Sequence, residues 1–146
     1  MPGTRSYPAA HVQAARDEIA AQIRAYRDLV GAASKASGMS LARIDAALAA
    51  FEPAFFNNLL VALEMRFAHR PRGVEGQDVG PLGEVRMLAA SLVDNAGVLA
   101  RDPTVQYDPG KAVLGIDIGE RIALNADDFE ALCAAFLADI ERQFPA

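Results

Sequence analysis

Apolar residues recur at spacings of three and four through most of the chain, so the pattern predicts helices before composition is considered. Residues 9–34 carry Val12, Ile19, Ile23, Tyr26 and Val30 in this rhythm, and Pro8 suits an N-terminal helix edge. Read as a heptad seam, the row admits Arg16 as its polar exception. The helix is thin in large apolar residues, so it can pack in a groove of its own domain or be exchanged with a second subunit.

The small, polar run GAASKASGMS (31–40) reads as a connection. Ser40 then suits the N-cap of a short helix carrying Leu41, Ile44, Leu48 and Phe51. At Glu52-Pro53 the pattern is expected to kink or restart, because proline lacks the N–H donor and clashes with the preceding turn. A new helix over 53–70 places Phe56, Leu59, Leu60, Leu63 and Phe67 on its buried side. Residues 71–81, with glycines at 73, 76 and 80, form the longest loop. Pro81 opens a further helix to about Ala100 along Val85, Leu88, Ala89, Leu92, Ala96 and Leu99. The turns Asp102-Pro103 and Asp108-Pro109-Gly110 end it and frame TVQY, a candidate short strand.

In AVLGIDIGERIAL (112–124) apolar and polar residues alternate around Gly119, which predicts a β-hairpin. A two-residue turn would split the apolar residues between faces. A three-residue loop, Asp117-Ile118-Gly119, keeps one apolar face and puts glycine where a left-handed residue is wanted. Asn125 with Asp128 three residues on is an N-cap signature for a last helix to about Phe144, along Phe129, Leu132, Cys133, Phe136, Leu137 and Ile140. The expected fold is mainly α: a helical bundle of four to five helices with one β-hairpin before the C-terminal helix. It forms a single domain over 1–146, with 53–144 as its core.

Composition narrows the function. With 146 residues and 52% hydrophobic content the chain can build a full core. Its net charge of −5 argues against nucleic acid or anionic lipid as partner. The N-terminal residues lack the apolar run of a signal peptide, and no window has about 18 uninterrupted apolar residues, so a soluble, cytoplasmic protein is expected. A single cysteine, Cys133, excludes an internal disulfide and sits inside an apolar stripe, as a packing thiol would. Two histidines give no zinc spacing, and there is no Glu-x-x-His, so no metal or cofactor is expected.

The charged residues near LLVALEMRFAHRPRG (59–73) are the candidates for a site. On a wheel, Glu64 lies on the shoulder of the apolar arc of the 53–70 helix, while Arg66 and His69 fall outside it. Arg86 lies on the shoulder of the following helix, whereas Glu84 points away. Antiparallel neighbours would bring Glu64 and Arg86 together as a partly buried ion pair, either fixing the packing or lining a pocket. Arg66, His69, Arg70 and Arg72 form a basic group at a helix C-terminus, where cations complement the macrodipole. A small anionic ligand held by that group and the 71–81 loop is the functional version. No Gly-Lys-Ser/Thr phosphate loop and no G-x-S-x-G elbow is present, which points away from an enzyme. Ser91 is expected to bond within its own helix.

The blocks NNLL-x-x-LEMRF-x-HR, EVRML and IDIGERIAL with its following helix, over roughly 53–144, resemble an uncharacterised bacterial protein family, a domain of unknown function. The resemblance implies only that these blocks form one domain. The first functional expectation is an interaction protein that self-associates, with a homodimer formed through the hairpin edges or the first helix. The alternative is a small-molecule or anion-binding protein or enzyme, with its site between the 53–70 and 81–100 helices near the 71–81 loop.

Overall fold

A computed structural model describes residues 6–35, 41–72 and 76–146. Among them are four helices, α1 (Ala9–Ser34), α2 (Leu41–Arg66), α3 (Gly80–Asp94) and α4 (Ala126–Gln143). The helical bundle is as the periodicity predicts. α1 buries Val12, Ala15, Ile19, Ile23 and Tyr26 against α2 and α4 of the same chain. Arg16 escapes the seam and pairs outward with Glu141. Tyr7 ties this helix to both neighbours, its N–H donating to Phe144 O at 3.1 Å and its hydroxyl to Phe67 O at 3.1 Å.

The expected break at Glu52-Pro53 does not occur, and α2 is one helix of 26 residues with Pro53 inside it. Phe51 and Phe55, on either side of the proline, both stack on Tyr26 of α1, with ring centroids 6.5 and 6.0 Å away. Packing across the break thus offsets the lost backbone bond. The proposed Ser40 cap lies outside the described residues. By length and composition α2 could cross a bilayer. Its polar residues are committed to the bundle instead: Glu52 accepts from Ala126 N, and Asn57 bonds the 122–124 segment.

α3 ends at Asp94 rather than near Ala100. Ala96 and Gly97 take positive φ (54° and 80°), and the N–H groups of Asn95 and Gly97 both return to Ser91 O. Here the apolar period runs past the helix, because Leu99 is buried from a loop. Ser91 does not bond its own helix as expected: its hydroxyl accepts from Ala100 N at 3.0 Å.

The predicted hairpin is absent; among the described residues there are only two isolated bridges, Asp78 with Val105 and Val98 with Arg121. The turn at 117–120 does form, with Gly119 at φ 92° and Glu120 N donating to Asp117 O. Its arms, however, find other partners. Val113 N and Leu114 N donate to the Glu84 carboxylate at 2.8 and 2.9 Å, while Ile122 O and Leu124 N are taken by the Asn57 amide at 3.0 and 3.1 Å. Gly119 N and Ile122 N donate to Leu99 O and Gly97 O. Side chains from α2 and α3 and carbonyls just past α3 therefore satisfy groups a ladder would use, leaving two irregular segments, the first bent at 112–114 and turned at Gly115 (φ 68°). The alternation still reads truly on the second arm, where Ile122 and Leu124 are buried and Arg121 and Ala123 exposed.

α4 starts at the predicted cap: Asn125 Oδ1 accepts from Asp128 N at 2.7 Å. Its stripe completes the core, where Phe56, Phe67, Phe129 and Phe136 are fully buried. Cys133 lies there too, its thiol pushed up to about 11 mainly by burial, as for a packing residue.

Candidate functional site

The anticipated Glu64–Arg86 pair is not formed. Glu64 Oε1 instead receives Arg70 Nη2 at 2.7 Å, and Arg86 contacts Asp78. The reason lies just past α2. The chain turns there, with Phe67 N and Arg70 N bonding back to Glu64 O and Phe67 O, and this folds Arg70 inward. Its guanidinium is fully buried, donates also to Phe67 O and Leu82 O at 3.0 Å each, and lies 5.2 Å from the centre of the Phe136 ring. Arg70 thus joins the end of α2, the start of α3 and α4, and is not part of a solvated basic tail.

The rest of the predicted basic group is dispersed. Arg66 pairs with Glu18 of α1, and its carbonyl faces His11 Nε2 at 3.1 Å. His69 is exposed. Arg72 reaches Asp78 at 3.2 Å, so Asp78 lies between Arg72 and Arg86. Burial, then the nearby Arg70 guanidinium, lowers the Arg86 pKa, against the opposing pull of Asp78 and Glu64. Arg86 Nη2 is buried with no hydrogen-bond partner among the described residues.

Asp78 also connects this ionic layer to the two segments that flank an opening sequence reasoning missed. Asp78 N donates to Thr104 O and Gln106 N to Asp78 O, so the 76–79 segment runs beside 104–106. Gly83 permits the approach: a Cβ there would meet Asp78 O and Val105 Cγ1 at 2.9 Å. In front of these segments is an open cleft of about 600 Å³. One side is Gln77, Val79, Gly80 and Glu84, at the start of α3; the other is the 101–112 loop. It includes the end of the anticipated 71–81 loop but no residue of α2, which was expected to form the other wall.

Glu84, expected to point away, is buried and lines this cleft. Burial raises its pKa, and the N–H bonds from Leu114 and Val113 only partly oppose this. Those two bonds attach the 108–116 segment to α3, so Glu84 sets the position of the cleft wall. Tyr107 closes the base of the segment by donating to Ile116 O, and its hydroxyl is pushed up to about 12 by burial, with Glu84, Asp117 and Glu120 adding to the effect. Burial pushes Asp102 up, but bonds from Thr104 and the Arg72 and Arg86 guanidiniums bring it below the usual carboxylate value. No group of three or more metal-ligating side chains occurs among the described residues.

The features that build this site are poor in sequence signal. Glu84 is one turn of helix from Leu88 and could have been placed on the buried side by that spacing. The cleft itself depends on loops meeting across α3, which no local pattern encodes. Compared with protein-family models, curated proteins and solved structures, the chain finds no match.

Proposed function

We propose that this chain binds a small molecule in the cleft between the start of α3 and the 101–112 loop. The observation that carries the reading is the cleft, whose volume of about 600 Å³ lies within the range typical of ligand sites. Its lining supports the same reading: apolar surface from Val79, Pro103, Val105 and Tyr107, with polar groups converging at the rim. Glu84 and Tyr107 use their polar atoms on backbone groups of the wall, a role in shaping a pocket rather than in a reaction.

The test is a thermal-shift screen of small molecules against the wild type and Ala112→Phe, in which a ring fills the opening. Compounds that stabilise the wild type but not the variant support the cleft as the site, because a ligand bound to the folded state alone raises the midpoint by mass action. Compounds that stabilise both equally locate binding elsewhere and end this reading.

Self-association is a second reading, favoured by the outer face of α2. Across residues 46–65 every exposed position is Ala, Phe51, Asn58 or Met65, with no charge. In a chain of net charge −5, two copies meeting on this face bring no like charges together. Sedimentation of the wild type against Ala54→Glu tests it: the reading requires a wild-type dimer that the variant weakens.

A further inference from the structure

The cleft mixes signs, with Arg101 and Lys111 beside Glu84, Asp102 and Asp108. What a ligand meets depends on which of these groups are already used. Each carboxylate has at least one oxygen engaged. Glu84 takes two backbone N–H groups, and Asp102 Oδ1 takes the N–H and hydroxyl of Thr104 at 2.8 and 2.7 Å. Asp108 Oδ1 takes Gly110 N at 2.9 Å. The Arg72 and Arg86 guanidiniums also act on Asp102, adding positive potential.

By contrast, among the described residues Arg101 and Lys111 form no ion pair, although eight ion pairs occur elsewhere. Both are exposed and sit at opposite ends of the same loop, facing one opening. Their groups, with the amides of Gln77 and Gln106, are the side-chain donors of the lining that face an incoming group. The apolar surface beneath them can cover a body but cannot orient a charge.

We infer that the cleft selects a small anion, a carboxylate or phosphate group on an apolar body, held at the rim by Arg101 and Lys111. This rests on the cleft being a ligand site, and it replaces the basic residues after α2 with two others as the anion's partners. A guanidinium and an ammonium bind an anionic oxygen through charge-assisted hydrogen bonds, which weaken as salt screens them. Both side chains are exposed, so replacing them leaves the core intact.

The test uses the full chain and fluorine NMR of three probes: 4-fluorobenzoate, its neutral counterpart 4-fluorobenzamide, and inorganic phosphate as competitor. The anion should bind about tenfold more tightly than the amide, the gain expected of one or two charge-assisted bonds. Arg101→Gln with Lys111→Gln should remove that preference while leaving thermal unfolding unchanged. Displacement by phosphate would assign the site to phosphate-bearing ligands, and no displacement to carboxylates with an apolar body. Equal affinity for the two fluorinated probes, or a preference that survives the double substitution, overturns the anion inference and leaves the cleft as a site for neutral ligands. If neither probe binds at millimolar concentration and no compound in the thermal screen is sensitive to Ala112→Phe, the cleft reading falls as well.

Discussion

Arg70 and Glu84 are buried charged residues, one joining α2, α3 and α4 and the other holding the cleft wall, and each makes a prediction. Arg70 fills three acceptors from a fully buried position, so its loss leaves Glu64 Oε1 and two carbonyls without it. Arg70→Met should lower stability by about 3–5 kcal/mol, and Glu64→Gln by less, because Arg70 keeps its carbonyl partners. A double-mutant cycle read by urea unfolding should show coupling between 64 and 70, and near-additivity between 64 and 86. Coupling at 64 and 86 alone would restore the pairing that the helical wheel suggests. That pairing was the part of the site most open to sequence reasoning, and it failed because a wheel ends where its helix ends. Arg70 lies four residues past α2, where the turn, not the helical period, decides direction.

Glu84 carries a pH dependence of defined sign. Its folded pKa is raised above the ordinary 4.5, so the folded state binds the proton more tightly than the unfolded chain. The stabilisation from that proton is complete below the ordinary value and is lost as pH rises through the elevated one. Wild type should therefore gain stability relative to Glu84→Gln as pH is lowered from 7 toward 4.5, read as the difference between their urea midpoints. A difference that stays flat with pH would place the Glu84 carboxyl in a water-like environment.

At the scale of elements, the helices were legible and the segments between them were not. α1 and α4 match their apolar rows closely, since each buries one stripe against neighbours and carries its own start signal. α2 was split at Pro53 because the local penalty is visible in sequence, whereas the Tyr26–Phe51–Phe55 stack that overrides it comes from another helix. The hairpin failed in the opposite sense. Alternation reports one buried face, but says nothing of what satisfies the backbone. Here Asn57 acts as the missing strand for Ile122 and Leu124. Asn57→Leu should orphan both groups and lower stability by about 2 kcal/mol. Amide exchange should show loss of protection at Leu124, with the α1 amides at Ile19 and Ile23 unaffected. Retained protection at Leu124 would mean that the segment has another partner.

At the scale of the molecule, the four helices among the described residues make a core in which α1 packs on α2 and α4, and the irregular chain from 95 to 125 returns to the start of α3 and supplies half of the cleft. Asp78, paired with Arg72 and Arg86, bonds that half through Thr104 and Gln106, and Glu84 bonds it through Val113 and Leu114. The site is thus a product of tertiary arrangement, built where loops meet the start of one helix. The most direct measurement of its role is the ¹H–¹⁵N spectrum of the full chain titrated with 4-fluorobenzoate. Binding in the cleft predicts saturable shifts concentrated at Gln77, Val79, Gly80 and the amides of 101–112, together with Val113 and Leu114. Shifts centred on the outer face of α2, or no saturable shift at millimolar probe, would contradict it.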